Sequence, residues 1–190
     1  MEATDNKKRF LEICSAIKRD GIDDILSWLE SSDFYDAPAS TRFHLSSPGG
    51  LLQHVLNVYD NLKRLLNAFP EIKASEETVA ICALLHDICK VNVYKKTKRN
   101  KKDEVTGKWT QYDSYEFEEK FSYGGHGSKS VFIIQKYMEL TPEEAVAINC
   151  HMSAWGENGD YVGKAYEQFP FAWLLSAADQ ASTYISEACH

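Results

Sequence analysis

Between Leu51 and Leu66 the apolar residues Leu51, Leu52, Val55, Leu56, Tyr59, Leu62 and Leu66 recur every three or four positions, and His54 shares a face with Leu51, Val58, Leu62 and Leu65. That period marks an amphipathic helix with one face in a core. An imidazole on such a face points inward, where a polar group without a partner is costly. The chain must fold around something that satisfies His54. Ser46-Ser47-Pro48 precedes the stripe as a cap with proline in the first turn, and Phe69-Pro70 closes it.

The same conflict recurs. Ser75-Glu76-Glu77 opens a second helix through Val79, Ala80, Ala83, Leu84 and Leu85, which carries His86-Asp87-Ile88-Cys89-Lys90 near its C-terminal end. Helical spacing returns from Ser128 to Met138, from Pro142 to His151 behind a Thr141-Pro142-Glu143-Glu144 cap, and from Phe169 to Ile185. His126 and His151 lie in or beside these segments, and Asp179 sits among small and apolar residues in Leu174–Thr183. A lone inward histidine is most often a hydrogen-bonded core residue. Four imidazoles and two carboxylates on successive helices are better satisfied together by a cation. Imidazole suits Zn, Fe, Mn, Co or Ni, and a carboxylate can bridge two ions, so the residues predict one or two divalent metals, Mg included, without choosing among them. His44 precedes the helix start and His190 is terminal, so neither is assigned as a ligand.

Elsewhere, Phe10, Ile13, Cys14, Ile17, Ile25, Trp28 and Leu29 predict two short helices around Gly21, an N-terminal lid over residues 1–45. The metal-binding core is expected over 46–187 of a single domain. Between Val91 and Phe121 the helical period is lost. Val91-Asn-Val-Tyr94 and Lys108–Tyr115, joined through Thr106-Gly107, predict a β-hairpin inserted at about 91–121. The run Lys95-Lys-Thr-Lys-Arg-Asn-Lys-Lys102 is placed at its tip, where it either steers a nucleotide toward the metals or is simply solvated. Trp109, Tyr112, Tyr115, Trp155 and Tyr161 are candidates either for stacking a base or for packing a small sheet. Gly124-Gly-His-Gly-Ser-Lys-Ser130 lacks the spacing of a phosphate-binding loop and reads as a loop delivering His126.

A net charge of −7 opposes a protein whose main work is coating nucleic acid. Five scattered cysteines without a Cys-x-x-Cys pair suggest neither a disulfide framework nor a zinc knuckle. With no apolar stretch of bilayer length and no signal-peptide pattern, a cytoplasmic protein without a membrane partner is expected.

The order His54, His86-Asp87, Asp179 resembles the HD superfamily of metal-dependent phosphohydrolases. Gly-Gly-Leu-Leu-Gln-His54, Leu-Leu-His-Asp-Ile-Cys-Lys90 and Ala-Ala-Asp-Gln-Ala-Ser-Thr183 are similar to its local signatures. The resemblance implies an all-α helical bundle. It implies a first ion on His54, His86, Asp87 and Asp179 and, as in the binuclear branch, a second on Asp87, His126 and His151. Asp87 and Lys90 would be catalytic, and Lys90, Lys129, Lys95 and Trp155 would contact a phosphate-containing substrate. The implied reaction is hydrolysis of a phosphoester or phosphodiester of a nucleotide, with a short nucleic acid as a second partner class. Cys89 stands where the family often has glycine, and no Gly-Tyr-Pro follows His151, so cyclic-dinucleotide hydrolysis of the HD-GYP type is not supported. The carboxylates that often follow the HD pair in deoxynucleotidases are replaced by Val-Asn-Val-Tyr-Lys-Lys. Two alternatives stay open: a mixed-valent di-iron oxygenase of a small polyol or phosphonate, and a non-enzymatic nucleotide sensor.

Overall fold

The computed structural model describes residues 3–104, 106–153 and 159–188. In chain order these form α1 (Ala3–Cys14), α2 (Ile22–Glu30), α3 (Gly50–Ala68), α4 (Glu76–Leu85), β1 (Tyr94–Lys102), β2 (Trp109–Phe117), α5 (His126–Ile134), α6 (Pro142–Cys150), α7 (Gly159–Gln168) and α8 (Pro170–Ala181). The result is the expected all-α body with one antiparallel hairpin. α3 packs against α1, α4 and α8, while α6 packs against α4, α5, α7 and α8. Leu51, Leu56 and Leu62 of α3 meet Ile81, Leu84 and Leu85 of α4 and Phe171, Leu174 and Leu175 of α8 in one buried cluster. Each such side chain contributes about 1.5–3 kcal/mol by leaving water. Every residue of α4 from Val79 to Leu85 is buried, so this helix is apolar on all sides and runs through the interior.

Four local expectations change. Phe10, Ile25, Leu29 and Phe34 are fully buried in the same cluster, so the N-terminal helices help to build the core and do not lie over it as a lid. Ser47-Pro48 does not cap α3. The helix starts at Gly50, after Gly49 in the left-handed region at φ 76°, and Leu51 N–H donates to the Ala37 carbonyl at 2.9 Å in place of a side-chain cap. A Cβ on Gly50 would lie 2.0 Å from the Leu45 carbonyl oxygen, so the chain passes here too closely for any other residue. The lysine run is not a hairpin tip: it is β1 itself, paired from Tyr94↔Phe117 to Lys102↔Trp109. The aromatic strand supplies its backbone partners, and Lys95, Lys96, Lys98, Lys101 and Lys102 stay exposed. Finally, α7 is a helix that apolar periodicity did not reveal, because Gly163 and an exposed Tyr161 dilute the pattern.

One buried ion pair ties the N-terminal turn to α4 and α6. Glu144, fully buried, closes the α6 capping box with Thr141 and accepts from Thr78 Oγ1 at 3.0 Å and from Arg19. Arg19 also reaches Glu77 at 3.1 Å. Burial pushes the Glu144 carboxyl up, but Arg19, the Thr141 N–H and Thr78 together hold it below its ordinary value. Arg19→Ala is expected to cost about 3 kcal/mol in chemical denaturation, because it strands a buried carboxylate. A carboxyl depressed on folding stabilises above its unfolded pKa and stops doing so as pH falls through the folded one, so the gap between wild type and variant should close on acidification.

Candidate metal centre

Three histidines reach the centre by two routes. His54 projects from the second turn of α3, and its Nδ1 lies 3.0 Å from Glu187 Oε1. His86 and His151 each directly follow the last residue of a helix, α4 and α6. Their Nδ1 atoms lie 2.9 Å from the Ala83 carbonyl and 2.7 Å from the Ile148 carbonyl, each three residues back and among those a helix C-terminus leaves free. A carbonyl or a carboxylate only accepts, so Nδ1 carries the hydrogen in each ring. In the neutral ring Nε2 then presents a lone pair.

Those lone pairs converge on carboxylates. His54 Nε2 is 3.1 Å from Asp179 Oδ1 and 3.5 Å from Asp87 Oδ2. His86 Nε2 is 3.5 Å from Asp87 Oδ2, and His151 Nε2 is 3.6 Å from Asp87 Oδ1. All four of His54, His86, Asp87 and His151 are at most 2% exposed. The three Nε2 atoms and Asp87 Oδ1 have no hydrogen-bond partner. Buried acceptors facing one another repel unless a positive charge stands between them. Separations of 3.1–3.6 Å are those of neighbouring ligands around an ion bound at about 2.0–2.2 Å by nitrogen and oxygen. The ligand atoms of His54, His86 and Asp87 lie within 4.8 Å of one another, as do those of His86, His151 and Asp179. The donor set therefore fits a divalent metal.

The charge balance agrees. Burial disfavours a charged His54, yet Asp179, Asp87 and Glu187 together hold its pKa well above the ordinary value, so these carboxylates demand a positive charge at Nε2, which a proton supplies when no metal does. Burial likewise pushes the Asp87 carboxyl up, and Lys90 and His86 more than reverse it, so Asp87 stays ionised. Desolvation pushes the half-buried Asp179 carboxyl up, but the facing His54 holds it below the usual carboxylate range. Lys90 Nζ lies 2.7 Å from Asp87 Oδ2, and despite its burial this contact keeps the ammonium charged. It does so from a short 3-10 turn at Ile88–Lys90, where the sequence suggested continuing helix. Asp87, Lys90, His151 and Asp179 line a cleft of about 290 Å³.

Other predicted residues lie elsewhere. His126 is exposed at the start of α5, with Nδ1 3.5 Å from Cys89 Sγ, and joins no ligand group among the described residues. Lys129 is 4% exposed and bonded to Glu119 and the Phe121 carbonyl, each at 3.1 Å, so it anchors the segment before α5 and does not line the Asp87 cleft. Lys95 is exposed on β1 opposite Glu116 and does not line that cleft either. Trp155 lies outside the described residues.

Two residues that the sequence did not single out belong here. Glu187 accepts from Asn57 Nδ2 at 2.9 Å and contacts both His54 Nδ1 and His44 Nδ1, the latter at 2.5 Å. A carboxylate behind a ligand histidine fixes the ring and raises its basicity. Glu187 falls eight positions after Asp179, two turns along the same helical direction, which is the one signal that could have found it. No spacing pointed to His44.

The model of the HD-domain family matches residues 51–184. The chain belongs to the HD-domain family. No curated protein and no solved structure matches it. HD domains bind divalent metals and form a superfamily of metal-dependent hydrolases of the phosphohydrolase type. The matched span contains the five clustered residues of this HD domain, while His44 and Glu187 lie outside it. Among the described residues, no helix is long and apolar enough to cross a membrane.

Glu187→Ala is expected to weaken binding of Mn²⁺ by about 10- to 100-fold in titration calorimetry, with unchanged helix content by circular dichroism. Glu187→Gln, which keeps an acceptor oxygen without the charge, should fall between. Unaltered affinity in both would show that His54 is oriented by other contacts.

Proposed function

We propose that this HD domain hydrolyses a phosphoester or phosphodiester of a nucleotide or short oligonucleotide, with a divalent transition metal held by His54, His86, Asp87, His151 and Asp179. The observation that carries this reading is the set of unpartnered Nε2 atoms gathered around Asp87, whose carboxylate lines a cleft that also contains Lys90. A divalent ion there supplies Lewis acidity toward a phosphoryl oxygen and lowers the pKa of water. The protein's own groups do the rest. The backbone carbonyls of Ala83 and Ile148 and the Glu187 carboxylate hold the three rings with Nε2 toward Asp87. Lys90, fixed against Asp87, presents a permanent positive charge to phosphate oxygens. Asp87 Oδ1, ionised and without a hydrogen-bond partner, is left to the metal, while Lys90 holds Oδ2 and so fixes the carboxylate.

A nucleotide or oligonucleotide is favoured by β1, which carries Lys95, Lys96, Lys98, Arg99, Lys101 and Lys102 and no acidic residue. This basic strip lies on an otherwise acidic chain and steers polyanions by long-range attraction. The proposal uses one ion. The second expected ion needs His126 with His151 and Asp87, but His126 stands apart while the ligand atom of His151 groups with those of His86 and Asp179.

Elemental analysis of purified protein should find about one transition-metal ion per chain. His126→Ala should retain it, and His86→Ala or Asp87→Ala should lose it. Mn²⁺, Co²⁺ or Ni²⁺ should stimulate release of phosphate or nucleotide, and His86→Ala and Asp87→Ala should reduce that release to background. Two bound irons with oxygen consumption and no phosphate release would overturn the hydrolase reading.

A further inference from the structure

The cleft above the metal centre has a second half that the hydrolytic chemistry does not use. Phe43 and Tyr184 line it together with Asp87, Lys90 and Asp179, yet their side chains are 86% and 69% exposed. A single exposed aromatic is ordinary on a protein surface. Two far apart in the sequence, bordering one cleft whose floor carries Lys90 and the candidate metal ligands Asp87 and Asp179, are a surface shaped for a ligand with one charged end and one flat apolar body. Phe43 is also held in place. Its N–H donates to Ser40 Oγ at 2.9 Å, Ser40 Oγ–H donates to the His44 carbonyl at 2.7 Å, and the His44 ring is bound to Glu187. The hydrogen bonds that orient His54 therefore also fix the loop that presents Phe43. Tyr184 stands in the turn Ser182–Ser186 that prolongs α8 beyond Asp179. Phe43 precedes the family-matched span, and Tyr184 is the last residue within it.

We propose that Phe43 and Tyr184 form a nucleobase subsite, which makes the substrate class a nucleoside monophosphate or a single terminal nucleotide. The proposal rests on the hydrolase reading only for the placement of the phosphate beside Lys90. A volume of about 290 Å³ is at the small end of ligand pockets and suits one nucleotide better than two. Aromatic faces stack on any base, and Met152, which also lines the cleft, adapts to its outline. A sugar phosphate without a base would leave both aromatics exposed.

The test is titration calorimetry of the metal-loaded full chain with non-hydrolysable 5′-phosphonate analogues of adenosine, guanosine, cytidine and uridine, and with ribose 5-phosphonate. At least one nucleoside analogue should bind about 10-fold or more tighter than the ribose compound. Phe43→Ala and Tyr184→Ala should each weaken the nucleoside analogue about 5- to 150-fold and leave the ribose compound within about twofold. Both side chains are exposed, so the variants should fold as wild type. Equal affinity with and without a base, equal weakening of both compounds, or no binding of any nucleoside analogue would overturn the subsite. Phosphate release separates the two readings. Tight nucleoside binding without any release leaves the subsite standing and removes the hydrolase, whereas equal release from ribose 5-phosphate and nucleoside monophosphates does the reverse.

Discussion

A carboxylate without water governs this molecule. Asp87 is 2% exposed and surrounded by the Nε2 atoms of three histidines and the ammonium of Lys90. Neutral imidazoles would direct lone pairs at lone pairs, and the arrangement is tolerable only with added positive charge. Lys90 provides part of it on one carboxylate oxygen. The other oxygen and the three Nε2 atoms are left for a metal. The apolar residues of α3, α4 and α8 stabilise the fold, but they also remove the solvent that would otherwise satisfy these groups.

The two helix ends that deliver His86 and His151 contribute in a second way. A helix C-terminus carries partial negative charge from its free carbonyls, which favours a cation nearby. By taking up one of those carbonyls with Nδ1–H, each histidine is locked in a single tautomer without needing another side chain. His54 lies in the second turn of α3, where carbonyls are engaged, and so depends on Glu187 from beyond α8. The different origins of these orienting groups follow from position along a helix and not from the chemistry of the ligand.

The hairpin shows how charge and structure are reconciled on an acidic chain. Six basic residues in nine positions have little reason to order by themselves. Pairing with a strand rich in Trp, Tyr and Phe gives the backbone its hydrogen bonds, while Tyr94 packs against Tyr115 and Phe117 near the base, with ring centroids 6.3 and 6.0 Å apart. The positive charge is thereby held on a defined strip beside the HD turn.

Much of the architecture was legible in the residues themselves. The period of Leu51–Leu66, the Thr141–Glu144 capping box and the loss of helical spacing after Val91 are local patterns, and local patterns survive folding. So was the inward placement of His54 and His86, because a helical face is set by spacing alone. What lay beyond the sequence was decided by contacts distant along the chain. His126 carries the same local signature as the other histidines, but its helix begins at the surface. Lys129 reads as a free cation and is buried against Glu119. Phe10 joins the core because α1 packs against α3 and α4, which no local period encodes. The identity of the candidate ligand residues is thus a property of the sequence. Which of them meet at one point, and that Glu187 and His44 stand behind them, is a property of the tertiary structure, because convergence depends on helix packing and not on spacing.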